Sequence, residues 1–478
     1  MHLQQLLNGL CYEIRGDGFA DVTSLACDTR QVKSGCMFFC LRGANVDGHA
    51  LFRKVVGDGA VAIVCDHPLD TEITQVIVKD TREFMSLVAK NFYHNAIDKM
   101  KLIAVVGTNG KTSTTYLIES VLNCAGYNTG VIGSNGVFIN GQHHDSMLTT
   151  PDPIQLHSWF YQMYLNKVHF VVMEVSAHAI ALKKMAGIKA DLTVFTNFSQ
   201  DHLDFFSDMR HYADVKKSFF NKKFTATAVV NADDKLGQEI IADCDLPIVT
   251  YGTANADVTA TDIRCDDGIS YSLNMYGEKA EVSYPLRGMF NVYNTLAAGC
   301  AVRMFGIKVD KIIEGISAVT CIDGRNETFV RSDGVRVVVD FAHTPDGIRN
   351  ILSYLKSQCT GSLIVVFGCG GNRDKFKRPL MGQTVSEFAD FAVITNDNPR
   401  FESPGAIVRD IEGGMRCPYK VVLNRSQATE FALSIAKSGD IVAVLGKGAE
   451  RFQDIKGRKY PYSDVDVVNN LLKNNGEK

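Results

Sequence analysis

The stretch Leu102-Ile-Ala-Val-Val-Gly-Thr-Asn-Gly-Lys-Thr-Ser113 sets the reading of the whole chain. Its apolar, β-branched start predicts a buried strand that breaks at Gly107, and the residues from Lys111 onward predict a helix. Leu117, Val121, Leu122 and Ala125 form an apolar stripe at helical spacing, and Gly126 can close the C-terminus. Strand, glycine turn and helix in this order make a phosphate cradle. Backbone N–H groups from Gly107 to Thr112 would wrap the phosphate and the helix dipole favours its charge, while Lys111 adds a cation and the Thr112 hydroxyl can reach Mg²⁺. Gly107, Thr108, Asn109, Gly110, Lys111, Thr112 and Ser113 are therefore candidates for binding ATP or a similar triphosphate. The loop is shorter than the common GxxxxGK[ST] form, because the residue six before Lys111 is Val105.

Outward from this unit, short apolar runs alternate with helical stretches. The runs are Met37–Leu41, Val61–Cys65, Gln75–Lys79, Phe170–Val175, Leu192–Thr196, Ala228–Asn231, Val335–Phe341, Leu363–Phe367, Phe391–Thr395 and Ile441–Leu445. This is the pattern of α/β units with buried parallel strands. A chain of 478 residues allows about three domains. The polar stretch Tyr93–Lys101 and the Gly-Arg turn near Ile322–Thr328 suggest the joins, so the expected domains are 1–98, 99–326 and 327–478. Alternating short strands over 251–285 predict a small antiparallel excursion in the middle domain.

Composition excludes several classes. The net charge of -3 carries no global basic excess for nucleic acid or anionic membranes, so an anionic ligand must be held by a local arrangement. No apolar run reaches the roughly 18 residues of a membrane span, and MHLQQLLNGL lacks the features of a signal peptide. The expectation is a soluble cytoplasmic protein. The 13 cysteines are scattered singly, without a CxxC pair, which reads as reduced and mostly buried thiols.

Further candidates sit just past predicted strand ends. Glu174 closes an apolar run and is followed by Ser176 and His178; a carboxylate there needs an ion partner or a metal. His202 follows Leu192–Thr196 and reads either as a satisfied loop histidine or as a ligand. In open parallel sheets such ends line one crevice, so both could meet the phosphate loop there. Residues 211–220 read as a helix in which Lys216, by residue type alone, is a solvated lysine. Asp340-Phe-Ala-His-Thr-Pro-Asp346, Gly368-Cys-Gly-Gly-Asn-Arg-Asp374 and Asp397-Asn-Pro-Arg400 follow strands as well, and on their own read equally as structural turns.

Taken together, Gly107–Thr112, Glu174-Val-Ser-Ala-His178, Asp201-His202-Leu-Asp204, Asn291 in Gly-Met-Phe-Asn-Val-Tyr-Asn, 340–346 and 397–400 resemble the Mur ligases in order and spacing over nearly the whole chain. These are ATP-dependent peptide-bond-forming enzymes of peptidoglycan precursor synthesis, and the likeness is greatest to members that add the third residue of the peptide. The resemblance implies an α/β fold of three domains: a small N-terminal α/β domain for the UDP-substrate, a central P-loop ATPase-like sheet, and a C-terminal Rossmann-like domain for the amino acid. It implies Mg²⁺ held by Thr112, Glu174, His202 and Lys216, with Lys216 carried as a carbamate (N6-carboxylysine). Lys111, Glu174, His202 and Lys216 are then the catalytic set, and Asn291, Arg325, Asp340 and His343 further ATP contacts.

The same resemblance assigns Thr29, Ala44, Asn45, Val46, Thr149, Thr150, Ser176 and Lys184 to the UDP-substrate, and Arg373, Asp397, Asn398, Pro399, Arg400, Gly446 and Glu450 to the amino acid. The chain departs from the common pattern at Leu148, Leu182, Lys184, Phe341 and Ala449. The implied substrates are UDP-N-acetylmuramoyl-dipeptide, ATP and meso-diaminopimelate, because Arg400 can pair bidentately with a distal carboxylate that lysine lacks. The enzyme is expected to be a monomer. Alternatives are the same ligation with L-lysine or another diamino acid, folylpolyglutamate synthase, and a non-catalytic nucleotide-switched binding protein. The first hundred residues disfavour the second, and the Arg373/Arg400 pair disfavours the third.

Overall fold

The computed structural model describes residues 1–43, 46–146, 148–266 and 268–474. Three large sheets follow one another along the chain, each with helices against it.

The first sheet has five strands between Glu13 and Ile77, four of them parallel, with Glu13–Arg15 antiparallel at one edge. Helix Thr81–Phe92 covers one face through Phe84, Met85, Val88 and Ala89, which meet Leu3, Met37 and Val64. Asp80 caps that helix by accepting the amides of Arg82 and Glu83, two donors the helix cannot satisfy itself.

The second sheet holds eleven strands. Its centre is parallel: Lys101–Val106 lies between Phe170–Glu174 and Ala190–Phe195, with Glu174 opposite Val105 and Phe195 opposite Val106. These strands read as continuous apolar runs because helices bury both faces. Helix Lys111–Cys124 packs Leu117, Ile118, Val121 and Leu122 against Ile103, Val105 and Val172. Each such side chain contributes roughly 1.5–3 kcal/mol by leaving water. The antiparallel excursion is present as Val258–Arg264, Ile269–Met275 and Glu278–Tyr284. Antiparallel strands Gly136–Ile139 and Gln142–His144 extend the other edge from Thr129–Gly133.

The third sheet has six strands, antiparallel only between Glu327–Val330 and Arg336–Asp340. Ile441–Leu445 runs between Arg336–Asp340 and Leu363–Phe367, and a separate hairpin pairs Phe452–Ile455 with Arg458–Pro461. All thirteen cysteines are free thiols; Cys300 and Cys369 are buried, but Cys124 is only half-buried and Cys11 and Cys321 are exposed. No helix among the described residues is long and apolar enough to cross a membrane.

Candidate active site

The parallel strands of the second sheet end together, and the loops that follow form the floor of a cleft of about 1970 Å³. Residues of the second and third sheets line it.

Between strand and helix the chain turns within Gly107–Gly110. A side chain at Gly107 would put its Cβ 1.8 Å from Thr196 Oγ1, and Gly110 sits at φ +81°, where other residues are strained. The neighbouring strand loop braces the turn: Asn197 accepts the Asn109 amide (2.9 Å) on its side chain and the Thr108 amide (2.9 Å) on its carbonyl. Lys111 Nζ donates to the carbonyls of Gly107 (3.0 Å) and Thr108 (2.8 Å), and burial pushes its pKa down. Ser113 lies just inside the helix, on the cleft wall. Asn109 Nδ2 reaches across the cleft to Asp346 at the start of helix Pro345–Ser357 (2.9 Å).

Glu174 is buried, and its carboxylate accepts from Thr112 Oγ1 (2.9 Å), the Ser134 amide (2.8 Å) and Ser134 Oγ (3.2 Å). Arg325 Nη2 in turn donates to Thr112 Oγ1 (2.9 Å), and its guanidinium lies 4.3 Å over the Phe341 ring, which keeps the stacking face without needing a hydroxyl. Thr112 and Glu174 thus offer hard oxygen donors beside the phosphate loop, the kind Mg²⁺ takes. His202 stands at φ +59° with Nε2 3.4 Å from Asp201; burial drives its pKa down to about 3, so it is a neutral imidazole. His178 packs edge-on against it, ring centroids 4.7 Å apart.

Lys216 differs from its reading by residue type. It is 1% exposed, not solvated, because helix Met209–Lys217 turns this face inward. Its Nζ donates to Gly107 O (2.7 Å) and lies 4.7 Å from the Tyr212 ring, and burial, then Lys111, pushes its pKa well down. No carboxylate contacts it among the described ion pairs.

Of the remaining nucleotide candidates, Asn291 is buried and bonded to Arg287 O (2.9 Å) and Asn294 (2.9 Å). Asp340 accepts the amides of Asn326 and Ala342 (both 2.7 Å), and burial raises its pKa. His343 approaches Asp201 at 3.6 Å.

Along one wall, Thr150 Oγ1 donates to Glu174 O (2.9 Å) and accepts the Ser176 amide (3.1 Å), while Thr149 meets Ser134 Oγ (3.0 Å). Lys184 is buried between Thr150 O (3.1 Å) and Asp152 (2.8 Å). Leu148 and Leu182 line this wall. Thr29 lies in the turn Thr29–Gln31 and Val46 on the exposed surface of the first sheet's unit; neither borders the cleft. Ala44 and Asn45 lie outside the described residues.

The third-sheet side carries a charged cluster. Asn398 Nδ2 donates to Glu450 (2.9 Å), and its Oδ1 accepts from Lys447 Nζ (3.1 Å) and the Asp454 amide (2.9 Å); Lys447 also pairs with Glu450 (2.6 Å). Burial alone would raise the Asp397 pKa, but Lys447 and Arg425 hold it below the usual range. Gly446 leaves its strand at φ +114° beside Asp397 Oδ2, and Ala449 also borders the cleft. Pro399 turns the chain so that Arg400, at φ +49°, donates from Nη1 to Gly371 O (2.7 Å). Arg373 reaches Asp204 of the facing loop (3.5 Å).

The structure adds residues that motif reading passed over. Lys377 Nζ bridges the cleft to Asp201 Oδ1 (2.9 Å), with 6% and 4% of the two residues exposed. Its type gives no clue, since Lys375 two positions away is a surface lysine. Asn197 and Lys447 adjoin the predicted strands Leu192–Thr196 and Ile441–Leu445, whereas Ser134 follows a strand the sequence does not signal; in all three only the partners reveal the part played.

A phosphate loop at parallel strand ends, facing a second α/β unit that carries paired cationic and anionic side chains, is a site for a nucleoside triphosphate and a second, charged ligand. The chain belongs to the Mur ligase family: the Mur ligase middle domain matches residues 105–302, the Mur ligase glutamate ligase domain 324–448, and the Mur ligase family catalytic domain 21–97. It is 38% identical over 479 residues to the UDP-N-acetylmuramoyl-L-alanyl-D-glutamate–2,6-diaminopimelate ligase of Caldanaerobacter subterraneus subsp. tengcongensis, covering 99% of each chain. The enzyme of the same name from Clostridioides difficile is 38% identical over 482 residues, again with 99% of each covered. A solved structure of a ligase with this name superposes with a TM-score of 0.70 at 27% identity, over 100% of both chains.

Proposed function

We propose that this ligase adds meso-diaminopimelate to the D-glutamate γ-carboxyl of UDP-N-acetylmuramoyl-L-Ala-D-Glu, at the expense of ATP, as a cytoplasmic monomer. The observation that carries the substrate is the cluster at Arg400, Asn398 and Glu450: a guanidinium for a distal carboxylate stands near a carboxylate for a distal ammonium. The names of the relatives support the same reading. Residues 1–98 would take the uridine nucleotide through Thr29, Ala44, Asn45 and Val46, 99–326 would take ATP, and 327–478 the amino acid.

In the first step a carboxylate oxygen attacks the γ-phosphorus, the bond to ADP breaks, and an acyl phosphate forms. The protein's work there is positioning and charge neutralisation. Lys111 and the loop amides are suited to hold the transferring phosphoryl group, and Asn291, Arg325, Asp340 and His343 to hold the nucleotide. Thr112 and Glu174, with His202 and a carbamylated Lys216, would hold Mg²⁺, which neutralises phosphate charge when bound. Lys216 suits the modification because burial disfavours its ammonium form: the free amine nitrogen attacks the carbon of CO₂, a proton leaves, and the side chain becomes an anion. In the second step the amine attacks the acyl carbon, and phosphate leaves as the amide forms. Thr149, Thr150, Ser176 and Lys184 line the wall on which the dipeptide would lie.

The test is phosphate release with the muramoyl dipeptide and a panel of amino acids. Turnover with meso-diaminopimelate and little with L-lysine is expected; equal turnover with both would overturn the choice of amino acid.

A further inference from the structure

The described His, Cys, Asp and Glu side chains gather into one group of three with ligand atoms all within 4.8 Å of one another, and it lies away from the cleft. The group is His49, Asp66 and His67. His49 sits in the turn Gly48–Leu51, and Asp66 and His67 directly follow the strand Ala60–Cys65. We propose that these three side chains bind a divalent transition-metal ion of the zinc class, pinning the turn Gly48–Leu51 to the end of that strand.

His49 is 4% exposed, an unusual place for an imidazole unless both nitrogens are used. Its Nδ1 lies 2.6 Å from Asp47 Oδ1. An ionised carboxylate can only accept, so the ring proton is on Nδ1 and the lone pair is on Nε2. A carboxylate behind a histidine in this way orients the ring and raises its basicity as a metal ligand. Nε2 faces the cluster: it lies 3.3 Å from Asp66 Oδ1 and accepts a long bond from the Asp66 amide (3.2 Å), which a metal would replace.

The His67 ring stacks on that of His49, centroids 4.8 Å apart, and its Nδ1 lies 2.5 Å from the same Asp66 oxygen. Two imidazoles thus converge on one carboxylate oxygen. For metal–ligand bonds of about 2.0–2.1 Å a tetrahedral edge is roughly 3.3–3.4 Å. The His49–Asp66 separation of 3.3 Å already has that length, and the His67–Asp66 hydrogen bond of 2.5 Å would open to it as the metal takes the place of the shared proton. Coordination through His67 Nδ1 would move its proton to Nε2 through solvent, since that side chain is 50% exposed. Arg42 Nη2 holds the other Asp66 oxygen at 2.9 Å and keeps the carboxylate ionised. Two nitrogens and one oxygen favour zinc, cobalt, nickel or copper over magnesium or calcium.

Co²⁺ is the probe, added to the chelator-treated full chain and followed by visible absorption. One equivalent giving the intense bands of four-coordinate Co²⁺, displaced by Zn²⁺, is expected. His67→Ala, at an exposed ring, should lose those bands while its metal-free circular dichroism and thermal unfolding match the parent. Asp47→Asn should weaken binding by about 10–100-fold without removing a direct ligand. Weak six-coordinate bands alone in the parent, or His67→Ala titrating like the parent, would overturn the site.

Discussion

Two lysines are buried near the phosphate loop and across the cleft from it, Lys216 behind the Gly107 turn and Lys377 on the facing wall, and they are held in opposite ways. Lys216, on the second-sheet side, has the Gly107 carbonyl and the Tyr212 ring for neighbours, so its ammonium is left in low dielectric with little to offset the loss of water. Lys377, on the third-sheet side, meets the Asp201 carboxylate at 2.9 Å. Burial lowers the pKa of both, yet in Lys377 the Asp201 charge outweighs it and the value ends above the ordinary lysine range, whereas that of Lys216 ends well below. A direct carboxylate contact therefore decides in which direction the pKa of a buried lysine moves.

The largest test of this difference is on activity. Lys216→Ala should lower ligase turnover by about 10³-fold or more, and short-chain carboxylic acids should restore part of it by supplying the missing anion, read by phosphate release. Absence of rescue in a folded variant would break the carbamate reading.

Lys377→Met leaves Asp201 buried without its partner and should cost about 3–5 kcal/mol in urea unfolding. Pairing it with Asp201→Asn should recover much of that. The parent also carries an acid-labile share that the double variant lacks. Asp201 titrates below its unfolded value, so its stabilisation is present above about pH 4 and fades as pH falls through the folded value.

The alkaline side sharpens the contrast. Between its folded and unfolded pKa values Lys216 binds more protons unfolded than folded, so in CO₂-free buffer stability should rise with pH across that window, by up to about 1.4 kcal/mol per pH unit. Lys216→Met should flatten that limb, and Lys377→Met should not.

The smallest effect concerns substrate choice. Arg400→Lys removes the two-pronged fork and keeps the charge, and should raise KM for diaminopimelate by about tenfold with KM for ATP little changed. Equal shifts in both would mean that Arg400 positions the cleft as a whole.

Reading from residues succeeded where chemistry is local. The phosphate loop shows because strand, glycine and helix adjoin in sequence, and Leu363–Phe367 and Ile441–Leu445 match observed strands end for end. Thr129–Gly133 escaped notice because two of its five residues are glycines, which blur a strand signal that pairing on both sides makes good. Residue type points Lys216 to solvent although it is buried, and only the motif resemblance draws attention to it. Lys377 and the His49–Asp66–His67 group drew none, because their partners are 176 and up to 18 residues distant in sequence.

The amino-acid sequence by itself determined the α/β character, the phosphate loop and the family, since each rests on residues close in the chain or in a recognisable order. Only the tertiary structure decided which charged groups are left without a counter-ion and which are paired. Lys216, Lys377 and Asp201 owe the direction of their pKa shifts to what surrounds them after folding, because burial and contact distance, not residue type, set the energy of a charge.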